Sequence, residues 1–392
     1  MNISYSHPPI GSISKLAKML NVSEAYLYQV AKNPENFYAL SEIPKKNGDF
    51  RTISDPVKEL KIVQRRIIRR IFCNCIFPTY LFGSIKDIEN PRDFVRNAQF
   101  HSNANEVMAF DIDSFFPSIQ AKYVKLVFKY LLKFPNDVSD LLVKLTTLNG
   151  SIPQGAPTSP YIANLVFYDQ EPKLVKLFTD KKLRYSRLVD DITISSEKPI
   201  SSGNKTFIYE QVKKLLDSKS LKINKKKYQV TNTSNSGKKT IVTGLVIENN
   251  IVKLPKETIK SIGRQVYTLN RMADVATTDV KYHKAHGSTS GLVALYSRLN
   301  KEKSDIHRLS LRGIKPTYSP ARLKKIASLC RRFIKYGESH TKKHGDEDYA
   351  KKYYKYKHKI SIIRRTDKKT AYRLDLALKP IKPLHLLSSY HE

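Results

Sequence analysis

Two apolar strands that each run into bare aspartate constrain this chain more than any other feature of it. Residues 184–195, RYSRLVDDITIS, alternate as two strands around Asp190-Asp191, and residues 106–112, EVMAFDI, form an apolar strand that reaches Asp111 near its end. Adjacent acids on a strand point to opposite faces, but at the tip of a tight hairpin both reach one pocket. Leu188-Val189 and Ile192 would fix that tip in a core sheet. Two carboxylates held together repel, and a divalent cation relieves the repulsion. For the pair alone, a solvated Asp-Asp turn is the competing reading. Asp111 shifts the balance, because carboxylates from neighbouring strands are what a two-metal site needs. There one ion activates an attacking hydroxyl and the other holds a triphosphate and the leaving pyrophosphate, the ions lying about 4 Å apart. Magnesium keeps several waters, so three Asp residues suffice, and Asp113 reads as a supporting group or a non-ligand.

Charge says what such a site would work on. Seventy Lys+Arg face thirty-five Asp+Glu, a formal net charge of +35 over 392 residues, and an excess of that size attracts polyanions. Anionic membrane is the weaker partner, since no run of about 18 apolar residues exists and the first residues lack a signal peptide's pattern. Cys73, Cys75 and Cys330 are too few and too odd for a disulfide framework and fit a reducing cytoplasm. They read as helix packing, with zinc a poor second.

Along the chain, residues 12–32 read as two short helices broken at Asn21-Val22-Ser23, with Ser23 as an N-cap. The pair is similar to a helix-turn-helix, but a helical lid packed on the catalytic body is the favoured reading. Residues 38–53 read as strands joined at Lys45-Lys46-Asn47-Gly48-Asp49, and a basic amphipathic helix follows over about 56–74. Helical patterns at 121–134 and 137–148 lead into GSIPQGAPTSP and the helix YIANLVFYDQ. A strand-rich stretch spans 221–254, after which the pattern is helical and basic. Within 349–369 nine Lys/Arg accompany one Asp, and Tyr349, Tyr353, Tyr354 and Tyr356 interleave with lysines. Stacking on unpaired RNA bases and a solvated, partly disordered extension are equally open for this tail.

In Pro153-Gln154-Gly155-Ala156-Pro157, glycine permits close backbone approach and the prolines stiffen the loop. With it, an ordered series is complete: FDIDSFF, PQGAPTSPYIAN, LVDD and LKINKKK resemble motifs A to D of the reverse-transcriptase palm. Asn97-Ala98-Gln99-Phe100-His101 matches an NAxxH pattern, and Val242-Thr243-Gly244 a VTG pattern, typical of retron-type reverse transcriptases. The resemblance covers roughly residues 10 to 335.

That resemblance implies an α+β right-hand polymerase. Its parts would be a helical N-terminal region (1–37), fingers and an antiparallel palm sheet (38–254), a thumb (255–336) and a basic helical C-terminal extension (337–392). Asp111, Asp190 and Asp191 would bind two Mg2+ ions. Phe116 would lie beneath the incoming sugar and exclude a 2′-OH, and Gln154 and Gly155 would touch the template–nascent base pair. Lys227 would sit near the triphosphate, which Arg51 would grip, with Lys46 a weaker candidate. Val242, Thr243 and Gly244 would contact RNA near the primer grip, and Asn97 and His101 would serve RNA binding or local structure.

The implied activity is RNA-directed DNA synthesis from dNTPs. It would be primed by a 2′-OH of a cognate structured non-coding RNA of the msr-msd type and would yield a covalently joined RNA–DNA product. An effector protein encoded alongside, a host RNase H, antiphage defence and a cytoplasmic location complete the implication. One departure stands out: the tyrosine usual before x-Asp-Asp is Leu188, which touches primer handling and removes no metal ligand. Competing readings are a group II intron or diversity-generating reverse transcriptase, and an RNA-binding scaffold whose polymerase site has decayed. A repressor acting through residues 12–32 would leave the polymerase-like residues without a purpose.

Overall fold

The computed structural model describes residues 2–44, 48–87, 89–232 and 239–384, and it divides into two compact units, 1–252 and 253–392. Lys46 and most of the turn expected around it lie outside the described residues.

The first unit is built on a five-stranded sheet whose strands lie in the order Leu81–Phe82 (β5), Arg184–Leu188 (β7), Asp191–Ser196 (β8), Glu106–Asp111 (β6) and Gln229–Asn232 (β9). Before it come a two-residue pairing of β1 (Ser4–Tyr5) with β4 (Cys75–Ile76) and the hairpin of β2 (Tyr38–Pro44) with β3 (Phe50–Pro56). In the main sheet β6 (Glu106–Asp111) lies antiparallel to both β8 (Asp191–Ser196) and β9 (Gln229–Asn232). β7 (Arg184–Leu188) pairs antiparallel with β8. The expected all-antiparallel sheet needs one correction, because the two-residue edge strand β5 (Leu81–Phe82) runs parallel to β7. The inner strands are buried along their length, as their apolar runs require, with Met108, Phe110, Ile192 and Ile194 in the core. A separate three-stranded sheet follows: β10 (Thr240–Val242), β11 (Leu245–Glu248) and β12 (Ile251–Lys253).

Helices pack on this frame through stripes at helical spacing. The helix Lys58–Arg70 buries Leu60, Val63, Gln64 and Ile67 and leaves Arg69 and Arg70 in its last turn exposed. The buried Gln64 amide donates to Tyr38 Oη and to the Leu145 carbonyl. Residues 12–32 form helices Ile13–Leu20 and Glu24–Lys32, and the Ser23 hydroxyl caps the second by accepting from the Tyr26 amide. Leu16, Leu20, Leu27 and Val30 are fully buried in the same core as the sheet, as a packed lid requires.

The second unit is helical: Lys256–Val275, Val280–Leu299, Lys301–Gly313, Pro320–Ser339, Glu347–Ile363 and Lys368–Leu378. The last three share a core of Cys330, Phe333, Ile334, Tyr353, Ile360, Ile363 and Leu374. Gly337 makes room for it, since a Cβ there would meet Tyr349 Oη at 2.6 Å and Ile381 Cδ1 at 2.7 Å. Tyr349 donates to the Ile381 carbonyl, and Tyr356 stacks on Phe333 with centroids 4.8 Å apart. Both open readings of the tail are therefore corrected for the described residues. Tyr349 and Tyr353 are core, so neither is free to stack on a base, and the segment is the expected basic helix, packed on a core of its own rather than solvated all round. The spacing of Tyr349, Tyr353 and Tyr356 is that of a buried helix stripe, flanked by lysines, one of which, Lys359, lies over the Tyr356 ring.

Candidate active site

β6 and β8 end together. Asp111 and Asp191 are register partners across the antiparallel pair, and Asp190 fills the second place of the two-residue turn between β7 and β8. Val189, the first place, has φ +59°, a conformation that a β-branched residue seldom adopts. The strand ends are clamped by the backbone: Ile112 N–H donates to the Asp190 carbonyl, and Asn224 N–H to the Asp111 carbonyl. Asp111 is buried, Asp190 and Asp191 are half-buried, and Asp113 is exposed, its carboxylate accepting from the neighbouring Ser114 hydroxyl.

This placement disfavours charge. Burial, then the facing carboxylates of Asp190 and Asp111, push Asp191 from 3.8 up to about 7, against the pull of Lys227. Asp190 is raised as well, chiefly by burial and by Asp111, while Lys227 and Arg51 draw it down. Lys227 donates from Nζ to Asp111 Oδ1 at 2.8 Å, and that bond raises its own pKa. Lys227 and Arg51 are therefore both within electrostatic reach of the acids, Arg51 from β3.

Three hard oxygen donors that repel one another when ionised suit a divalent cation. Among the described residues, however, no three His, Cys, Asp or Glu side chains are already gathered at metal-binding geometry. Lys227 meanwhile donates to one oxygen of Asp111, with its own side chain 63% exposed. By donor type, three carboxylates, the set fits a divalent cation.

The loop Pro153-Gln154-Gly155 is stitched to β3. The Gln154 carbonyl accepts from Ser54 N–H at 2.7 Å, and the Pro153 carbonyl from the Ser159 hydroxyl. Gly155 has φ +118°, and a Cβ there would meet Ile53 Cγ2 at 2.8 Å and the Ser54 carbonyl at 3.0 Å. The glycine thus serves close approach to another strand of this chain. Phe116 is half-buried in the short helix Phe115–Ser118, while Phe115 is core, stacked on Phe167.

The other two short strings lie together. NAxxH forms most of the helix Phe94–Phe100 and its C-cap, and VTG is the turn between β10 and β11. Thr243 and Gly244 take φ +46° and +81°, the pattern of a type I′ turn, and the Thr243 hydroxyl donates to the Phe94 carbonyl at 3.0 Å. Val242 is buried and Gly244 exposed. His101 is not available to RNA in this arrangement. It is fully buried, with Nδ1 and Nε2 each 2.7 Å from a hydroxyl, Ser195 on β8 and Ser186 on β7, and burial lowers its pKa to about 3. Of the two roles open to it, local structure is the one it fills. Asn97 is also fully buried, with neither amide atom paired among the described residues. An unmade buried bond costs about 1–3 kcal/mol, so stability alone does not account for that asparagine.

Residues 43–266 match the family model for reverse transcriptase (RNA-dependent DNA polymerase). The retron Se72 reverse transcriptase of Salmonella heidelberg is 34% identical over 84% of this chain and 86% of its own length. The chain belongs to the retron-type reverse transcriptases. The retron Ec48 enzyme of Escherichia coli is 32% identical over 93% of this chain and 90% of its own length. The Ec86 enzyme of the same species is 28% identical over 66% and 78%. This reverse transcriptase is thus an RNA-directed DNA polymerase, a class that depends on divalent metal. Among the described residues no helix is long and apolar enough to cross a membrane.

Sequence reasoning missed one pair in this enzyme. Arg187 and Glu171 are both fully buried and joined by two hydrogen bonds, of 2.6 and 2.8 Å, directly behind the acidic turn. The signal in the sequence is faint: Arg187 is the second arginine of a five-residue strand, and only if that position is buried does it demand a counter-charge.

Proposed function

We propose that this chain is a retron reverse transcriptase that copies part of its own structured non-coding RNA. Priming is from a 2′-OH of that RNA, so the DNA product stays covalently joined to it. The family membership supports the class of reaction. The observation that carries the site is the register pairing of Asp111 with Asp191, beside Asp190 and in reach of Lys227. In this reading the five-stranded sheet is the palm, the β2–β3 hairpin belongs to the fingers, and the helical second unit contains the thumb.

Asp111, Asp190 and Asp191 would hold two Mg2+ ions, which would acidify the attacking hydroxyl and neutralise the triphosphate. The chain's own residues do the rest. Lys227 leaves Asp111 for the triphosphate and supplies charge, or a proton, to the departing pyrophosphate. Arg51 grips the same triphosphate from β3. Phe116 closes the floor under the sugar and disfavours a 2′-OH, and Gln154 and Gly155 set the base pair against β3. Each contribution is positioning or fixed charge. The preformed turn at Thr243-Gly244, exposed at Gly244 and backed by the buried Val242, would face the RNA. An effector protein, trimming by a host RNase H and a role in antiphage defence follow from the same reading.

The test is Asp190→Asn with Asp191→Asn, assayed for DNA synthesis on the co-purified RNA. DNA should vanish while RNA binding persists. Retained synthesis would remove the mechanism. A co-purified intron lariat in place of a short branched hybrid would reassign the enzyme to the intron type.

A further inference from the structure

Behind the acidic turn lies a buried guanidinium whose five N–H donors are all used. Arg187 Nε and Nη2 donate to the two oxygens of Glu171, at 2.6 and 2.8 Å. Nη1 donates to the carbonyls of Ala163 and Val189 at 3.2 and 3.1 Å, and Nη2 to that of Asn164 at 3.2 Å. Tyr185 completes the group, donating to Glu171 Oε1 at 2.6 Å.

The three carbonyls come from two places that matter. Ala163 and Asn164 end the helix Ser159–Leu165, which follows directly on the Pro153–Gly155 loop, and carbonyls at a helix end lack partners of their own. Val189 is the strained residue immediately before Asp190. One side chain therefore ties the loop-bearing helix to the backbone of the acidic turn.

Stability is a poor reason for this arrangement. Burying two full charges costs as much as their attraction returns, and apolar residues of similar volume often serve a fold equally well. A strained turn, in contrast, persists only where its surroundings over-determine it. The Val189 carbonyl needs a donor that cannot drift, and a forked cation locked by Glu171 supplies one.

We infer that Arg187, locked by Glu171, is a positioning residue that holds the Val189-Asp190 turn in its strained conformation and so sets the two acids for metal and nucleotide. This rests on the reading of Asp111, Asp190 and Asp191 given above. It goes beyond that reading by assigning the geometry of the acids to a group that touches neither metal nor substrate.

The decisive variant is the triple Arg187→Met, Glu171→Leu, Tyr185→Phe, which removes the three polar side chains together and leaves no orphaned charge, only the carbonyls of Ala163, Asn164 and Val189 without their donor. It should still fold cooperatively, with a melting midpoint lowered by those carbonyls. Its kcat for primer extension should fall at least tenfold with KM for dNTP changed less than twofold. Mn2+ binding by calorimetry, without nucleic acid, should weaken at least fivefold. A triple variant with parental kcat and Mn2+ affinity overturns the inference. Should it fail to fold, Arg187→Lys decides: it keeps the charge facing Glu171 but lacks the fork, so the same kcat loss is expected, and parental kcat, or a change in KM alone, overturns the inference. Asp190→Asn run in parallel separates the two claims. Synthesis surviving there sinks the acid reading, whereas synthesis lost there and intact in the triple variant sinks only the role of Arg187.

Discussion

Replacing Asp191 with asparagine should abolish synthesis and, without metal, make the protein more stable. The cause is the raised carboxyl. Moving it from 3.8 to about 7 corresponds to roughly 4 kcal/mol against the charged form at 1.36 kcal/mol per pKa unit. Asp191 is only half-buried, and water at its open side trims the effect on folding to about 1–2 kcal/mol. The sign follows from the native carboxyl titrating above the unfolded one. Between about pH 4 and 7 the folded chain holds a proton that the unfolded chain has released, so this group favours folding at low pH and opposes it above 7. The amide carries no charge at any of these values. In chelator at pH 8, Asp191→Asn should therefore raise the melting midpoint of the unit carrying the site by about 2–4 °C, given roughly 2 cal/mol/K per residue over some 250 residues. The gap should close toward pH 5, and Mg2+ should stabilise the parent but not the variant. Differential scanning fluorimetry across pH, with and without Mg2+, measures all three. A variant that melts at or below the parent at pH 8, or an advantage unchanged at pH 5, would refute the electrostatic reasoning.

Gly155→Ala places a Cβ 2.8 Å from Ile53 at φ +118°. It should cost about 1–3 kcal/mol and lower kcat/KM for dNTP at least tenfold, checked by melting and steady-state extension. His101→Ala removes two buried hydrogen bonds and leaves a void between Ser186 and Ser195. About 2–4 kcal/mol of stability should go, and a variant with parental melting but weakened RNA binding would restore direct contact. Tyr353→Ala should destabilise the second unit by about 3–5 kcal/mol in limited proteolysis, while Tyr372→Ala, at a position 68% exposed, should stay within about 0.5 kcal/mol.

The acidic centre was legible because its pattern is local: apolar strands that stop at carboxylates leave few places to put them. The register that sets Asp111 opposite Asp191 was not legible, since alternation fixes faces and strand ends but not which residues pair across strands. What escaped was tertiary. Arg187 reads as one more cation in a chain of seventy, and only the helix beginning at Glu171 shows that it is enclosed. The parallel edge strand Leu81–Phe82 is too short for any periodicity to announce. In the tail, tyrosines among lysines look like an RNA surface in one dimension. Wound into a helix, they fall on one side, and Gly337 on another helix gives them room.

The helix Phe94–Phe100 is fastened at both ends, by the Thr243 hydroxyl at its first residue and through His101, just past its last, to the strands on either side of the acidic turn. It is a short strut with one foot on the β10–β11 hairpin and the other on the two strands that meet at the acidic turn. Two strings nearly 150 residues apart in the chain are thus parts of a single brace. Neither can shift its seat without disturbing what the other supports.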